Sequence, residues 1–409
     1  MRGLFFVRNI LYHCVMKNLL KIGLDPGRIY GLDILRACAI LFVVLAHGNP
    51  FLPIAAANVV NYFVFDGVSI FFVLSGFLIG GILIKILENT VASKKTLLDF
   101  WIRRWFRTLP AYFLVLTIVA VMSFLMAKSF DGSVVWKYYI FSQNLFTEHP
   151  LFFEEAWSLS IEEWFYLTVP TIIFSLIAFL KFTPRKSVLL TALFIILIVT
   201  GFRFFRYMTI PVNDAEQFNL IFRKQVSMRL DSLMYGVIGA YVSYYAKEKW
   251  LRAKKSLLII GLLLFALSNY IASHVFELYG LYFSVFHCSV TSLATLSLLP
   301  FLSDYKKGAG FFYRAITYIS LISYSLYLLN LSLIGNFVYK FPIERFISDG
   351  NVVSVVKYIM YWVLNIVFSA LLYKYFEVPM TKLRDNKTIK KFLYGNVEKK
   401  DLKPTVTDK

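Results

Sequence analysis

The chain has 409 residues, of which 58% are hydrophobic, 18% aromatic and 16% charged, with a formal net charge of +19. Soluble domains carry about 25% charged residues, so a chain this apolar has too little polar surface to stand in water and reads as an all-α polytopic membrane helix bundle. The basic surplus does not signal nucleic acid, because the lysines and arginines lie in the short connections between apolar segments and in the tail, where membrane topology puts them.

In chain order, residues 1–30 form a mixed cytoplasmic N-terminal segment. No cleavable signal peptide is expected, since the first apolar stretch lacks a small-residue cleavage site and follows about thirty mixed residues. Ten segments then approach the roughly 20 residues a helix needs to cross a bilayer: 31–49, 62–87, 108–127, 156–180, 187–205, 230–246, 256–272, 277–302, 315–337 and 353–376. The stretch 134–147 is apolar but short and suits a re-entrant or interfacial position. Segment 230–246 is the least regular, with Gly236 and Gly239 inside it and Arg229 and Asp231 at its start. The expected organisation is therefore a cytoplasmic segment 1–30, a transmembrane domain 31–378, and a polar basic cytoplasmic tail 379–409 suited to an anionic leaflet.

Placing the N-terminus inside leaves 32 lysines and arginines on cytoplasmic pieces against 10 outside, which sets both termini in the cytoplasm. The counter-signal is residues 203–229, where Arg203, Arg206, Arg223, Lys224 and Arg229 fall on the outer side and mark a candidate anion site. Cys14, Cys38 and Cys288 cannot all pair, and no disulfide framework or metal site is implied.

The first apolar segment carries Arg36 and His47. Ionisable groups inside hydrocarbon are costly and tend to serve function. Eleven residues at about 100° each return a helix to within about 20° of its starting direction, so both side chains point the same way about three turns apart. Asp33, one turn before Arg36, is a natural ion-pair partner for it. A histidine with an ordinary pKa suits general-base work, although a headgroup contact at the helix exit is the plainer alternative.

The stretch Leu32-Asp33-Ile34-Leu35-Arg36, followed by His47, resembles the first-helix signature of the acyltransferase-3 family of bacterial membrane O-acyltransferases. Further blocks agree in order. They are Gly67 to Ile79, Arg104-Trp105-Phe106-Arg107 with Pro110, Trp157 to Tyr166, Arg229-Leu230-Asp231, Ile322 to Leu329, and Phe376-Glu377-Val378-Pro379. The resemblance runs from about residue 28 to 385. It implies that Arg36 is required, that His47 is the base, and that the acyl donor is a cytoplasmic acyl-coenzyme A. No bound cofactor is expected.

Arg104 and Arg107, a helical turn apart, suit the phosphates of such a donor; Arg103 reads as ordinary membrane anchoring. Glu162 is a candidate to orient His47 or bind sugar hydroxyls, while Glu163 suits a helix N-terminus. Trp157 and Trp164 fit an aromatic belt better than a sugar platform. Asp33, Asp231 and Glu377 are supporting residues, and Ser75 with Gly76 permits close helix packing. Two positions depart from the family pattern: Ser69 where an acidic residue is frequent, and Asn330 where histidine is frequent.

These readings converge on a multi-pass bacterial inner-membrane O-acyltransferase, with acetyl the expected group and a lipid-linked or cell-surface glycan the acceptor. Membrane lipids surround it. Many relatives carry a fused extracytoplasmic hydrolase-like domain, which this chain is too short to add, so either the membrane unit suffices or a separate extracytoplasmic partner completes transfer. The rival is a transporter or flippase using Arg36 and His47 as a polar pathway. Against it, the sequence shows neither inverted repeats nor matched Gly/Pro breaks. A non-catalytic scaffold leaves the intramembrane charges without purpose.

Overall fold

The computed structural model describes residues 23, 27–126, 131–274 and 279–386. Most of the expected N-terminal segment 1–30, most of the expected tail 379–409, and Cys14 lie outside the described residues. No strand forms among the described residues, and the protein is an all-α helix bundle.

Ten long helices follow one another: α1 Tyr30–Gly48, α2 Gly67–Asn89, α3 Lys94–Met126, α4 Ala156–Leu180, α5 Pro184–Thr209, α6 Val226–Tyr245, α7 Lys254–His274, α8 His287–Asp304, α9 Gly310–Leu329 and α10 Gly350–Leu372. Nine helical stretches among the described residues are long and apolar enough to cross a membrane, which makes this a multi-pass membrane protein. α6 is the long helix that does not meet that description, with Arg229 and Asp231 in its first turns.

Local chemistry sets the helix starts. The Asp66 carboxylate accepts from the backbone N–H groups of Val68 and Ser69, both at 3.2 Å, and begins α2. Thr183 caps α5 ahead of Pro184, and Asp349 caps α10. α3 starts well before the expected 108, at Lys94. The intervening arginines are helical because Arg103 donates to Asp99 at 2.7 Å, one turn back, and Phe100 and Ile102 bury themselves. The stretch 134–147 gives only the short helix Gly132–Tyr139 and a loop.

Small residues let backbones meet. A Cβ on Gly76 would lie 1.9 Å from the Leu233 carbonyl oxygen, and one on Gly236 2.0 Å from that of Val73. α2 and α6 therefore cross with their backbones in contact, as membrane helices do where small residues face each other. α6 also packs along α5, and there Asp231 takes two hydrogen bonds from Arg203, at 2.6 and 3.2 Å, with both side chains fully buried.

The alternation of the helices sorts the connections between two ends. At one end Gly31 N–H donates to the Tyr305 carbonyl at 2.8 Å, and Lys254 pairs with Asp304 at 2.6 Å. At the other, Asn269 donates to the Tyr62 carbonyl and Val226 N–H to the Asn144 carbonyl. The loops 90–93, 181–183 and 305–309 belong to the first end; residues 49–66, 131–155, 210–225 and 341–349 belong to the second.

Candidate active site

A cavity of about 500 Å³ opens between α1, α2, α3, α4, α9 and the residues that follow α10. Its wall gathers Arg36, Arg104, Arg107, Glu162 and Glu377, five of the residues singled out in the sequence. Arg28, Arg103, Lys382 and Arg384 join them, so the cavity has a basic mouth at the first end of the bundle. Its inner end reaches Ser158 and Tyr327, which belong near the second end.

Arg36 and Arg107 lie close enough to repel one another. Neither makes a hydrogen bond or ion pair to a side chain among the described residues. Two guanidinium groups held together in a cavity, neither hydrogen-bonded to a side chain, are a ready receptor for an anion such as a phosphate. The pairing expected between Asp33 and Arg36 does not form. Asp33 is taken by Arg28, whose Nε donates to it at 2.9 Å, and by the Ser320 hydroxyl at 2.7 Å. Arg28, five residues back along the chain entering α1, reaches the carboxylate first, and Arg36 stays open to the cavity.

The two carboxylates of the wall are held from behind. Ser75 donates to Glu162 at 2.9 Å and Tyr166 at 3.1 Å. Ser325 donates to Glu377. Glu163, next in sequence to Glu162, faces α3 and accepts from Thr108 at 2.9 Å. Glu162 thus stands on the cavity with the arginines and does not touch His47.

His47 lies at the other end of α1, outside the cavity wall. Its Nδ1 is 2.5 Å from the Asn330 side-chain oxygen. The amide nitrogen of Asn330 donates to the carbonyls of Leu326 and Tyr327, at 2.9 and 2.8 Å, which fixes which way the amide faces. An oxygen turned toward Nδ1 requires a proton there, so Nε2 carries the lone pair. The residue that departs from the family pattern is the one that sets the imidazole tautomer.

A set of polar contacts links the inner end of the cavity to the segment that carries Asn330. The Tyr327 hydroxyl lies 2.6 Å from the Ser158 hydroxyl and donates to the Glu155 carbonyl at 3.0 Å. The Glu155 carboxylate accepts from the backbone and hydroxyl of Ser332, inside the π-helical segment Asn330–Gly335 that carries Asn330. Burial pushes the Glu155 carboxyl up to about 7, against the pull of its Ser332 contacts.

Of the five basic residues in the run 203–229, all but Arg206 are engaged within the protein and do not form an open anion site. Arg203 is spent on Asp231, Arg223 pairs with Asp66 at 3.2 Å, and Lys224 meets Glu154 at 3.9 Å. Arg229 is buried against Phe72 and Trp157, donates to Ser69 at 2.6 Å and lies 3.5 Å from Asp66. Asp66 supplies the carboxylate expected at Ser69, from one turn earlier. Trp157 is buried and offers no face to a sugar, and the half-buried Trp164 donates to the Phe141 carbonyl at 2.9 Å. Asp231 is a structural partner of Arg203, remote from the cavity wall. Arg28, Ser158 and Tyr327 were not singled out; Ser320, Tyr324 and Tyr327 make a polar stripe at one-face spacing on α9 that a reading of periodicity can find.

Comparison with known proteins agrees with this architecture. The sequence profile described as an acyltransferase domain matches residues 29–374, which takes in every motif block except Phe376–Pro379. The chain is 28% identical over 388 residues to O-acetyltransferase OatA of Staphylococcus aureus strains NCTC 8325 and COL, covering 88% of this chain and 58% of the relative. It is 27% identical over 375 residues to a second S. aureus protein with a provisional O-acetyltransferase name, covering 86% of this chain and 57% of that one. The chain therefore spans a little over half the length of these relatives. No solved structure matches it. With the profile spanning all but its ends, the chain belongs to the acyltransferase domain family of multi-pass membrane proteins.

Proposed function

We propose that the protein moves an acyl group, acetyl in the simplest case, from cytoplasmic acyl-coenzyme A to a hydroxyl of a lipid-linked or cell-surface glycan. The observation that carries this reading is the pair Arg36 and Arg107, neither hydrogen-bonded to a side chain among the described residues, in a basic-mouthed cavity of about 500 Å³ that runs toward the His47 end. The names of the O-acetyltransferase relatives support acetyl as the group.

In this reading the membrane is a bacterial inner membrane, both termini are cytoplasmic, and residues 31–378 form the transferring unit. Arg104 and Arg107 hold phosphates of the donor, and Arg36 holds negative charge deeper in the cavity. Glu162 and Glu377 offset part of the repulsion between the arginines across the cavity. The thioester end advances past Tyr327 when the contact with Ser158 opens. His47 Nε2 takes the proton of the acceptor hydroxyl as its oxygen attacks the thioester carbonyl. The C–S bond breaks, and the coenzyme thiolate leaves and takes a proton. An extracytoplasmic partner would present the glycan or carry the ester onward.

The test is acyl-coenzyme A turnover in membranes holding wild-type protein or His47→Ala, with mass spectrometry of the glycan. Loss of the ester mass in the variant at equal protein level is expected, with turnover down about 10²–10⁴-fold, the usual contribution of a general base. An unchanged ester mass would remove His47 from the chemistry. No acyl addition by wild type would return the transporter to the front.

A further inference from the structure

A second recess, of about 560 Å³, lies at the end of the bundle opposite the basic mouth. It is formed by helix Gly132–Tyr139 and the loop after it, the end of α5 and the segment that leads into α6. Nothing in the reaction described above uses it. Two of its lining residues are glutamines that are each 1% exposed, Gln143 and Gln225. Gln143 gives its amide nitrogen to Ser160, yet the side-chain oxygens of both glutamines have no hydrogen-bond partner. Leaving one buried acceptor unmade is costly, and two on one recess are a pattern that asks for donors from outside the chain.

The rim has a complementary character. Lys137 and Arg206 bring two cations, against one carboxylate, Glu148. Arg206 reaches the Phe146 carbonyl only weakly, at 3.4 Å, and the Phe146 ring is 66% exposed. Buried carbonyl acceptors, an exposed ring face and a cationic rim together suit a ligand rich in hydroxyl donors that also bears negative charge. The recess lies at the same end of the bundle as His47, in the last turn of α1.

We infer that this recess binds a carbohydrate chain bearing an anionic substituent, with Gln143 and Gln225 accepting from sugar hydroxyls and Lys137 with Arg206 holding the anion. This deepens the proposed function, since it places the acceptor of the transfer. It is nevertheless tested without any acyl donor, so its failure and the failure of acyl transfer are separate results.

The experiment is titration calorimetry of the full chain in nanodiscs with two soluble probes, an uncharged N-acetylated amino-sugar oligomer and a hexuronic-acid oligomer of the same length. The uronate is expected to bind about tenfold more tightly at low salt, since two cations face its carboxylates. Lys137→Ala/Arg206→Ala should remove that preference and leave the neutral probe unaffected. Gln143→Leu/Gln225→Leu should weaken both probes about tenfold or more, each glutamine giving up a hydrogen bond. Gln225→Glu, nearly the same shape, should weaken the uronate more than the neutral oligomer, and it serves if the leucine variant does not fold. Binding of neither probe by wild type, or binding unchanged in the glutamine variants, overturns the site.

Discussion

His47 can serve as a base only if one ring nitrogen is kept unprotonated and aimed, and Asn330 is the group that does this. Its two bonds to the Leu326 and Tyr327 carbonyls leave the oxygen no direction but toward Nδ1. Asn330→Leu keeps the volume and removes the acceptor. Turnover should fall about 10–100-fold, the cost of a lost hydrogen bond to a group that becomes charged, while the KM for the acyl donor stays put. A rise in that KM with no loss of kcat would place Asn330 on the donor side instead. Glu155 offers a second test at this scale. Its carboxyl is raised to about 7 by burial, from an ordinary value near 4.5. Between those two values the folded protein holds a proton that the unfolded chain has released. Glu155 therefore favours the fold fully below about pH 4.5 and loses that contribution as pH rises through about 7, on the order of 3 kcal/mol in all. The thermal midpoint of wild type should fall from pH 5 to pH 8, and Glu155→Gln, which keeps the acceptor for Ser332, should remove most of that fall.

Among the elements, the apolar runs made the helices legible, because a stretch that must satisfy its own backbone in lipid has no other form to take. The starts and ends were less so. α3 begins fourteen residues before the expected 108 because Asp99 and Arg103 pair on its surface, a short-range effect that hydropathy does not report. The five cavity residues were legible as chemistry, but their grouping was not. Glu162 is near the start of α4, which suggested the His47 end, yet the face it turns is set by α2 and α3, and Ser75 and Tyr166 draw it to the arginines. Asp231 shows the same limit, since only the packing of α5 on α6 reveals that Arg203 consumes it. That pair carries a prediction. Arg203→Met leaves the Asp231 carboxylate buried and unanswered, and should cost about 3–5 kcal/mol in stability or prevent accumulation in the membrane. Arg203→Met with Asp231→Leu removes both charges and should recover most of the loss. A double variant as unstable as the single one would mean that the rest of the contact network, Ser289 included, matters more than the charge balance.

For the molecule as a whole, the cavity and the second recess open at opposite ends of one bundle, and that separation gives transfer across a membrane its geometry. In the proposed reaction, a donor bound at the basic mouth and an acceptor bound near His47 would occupy different compartments, with Ser158, Tyr327 and Glu155 on the route between them. The reading then stands or falls on orientation. Among the described residues most lysines and arginines sit at the end that holds the mouth, which predicts that this end faces the cytoplasm. Val91, 83% exposed in the loop between α2 and α3, lies at that end, while Asn213 and the 80% exposed Phe346 lie at the other. In a background lacking Cys14, Cys38 and Cys288, single cysteines at these positions can be probed with a membrane-impermeant maleimide on intact spheroplasts. Asn213→Cys and Phe346→Cys should label at once, and Val91→Cys only after the membrane is opened. The reverse pattern would turn the basic mouth outward, away from any cytoplasmic coenzyme, and the cavity would then need a different anion as its occupant.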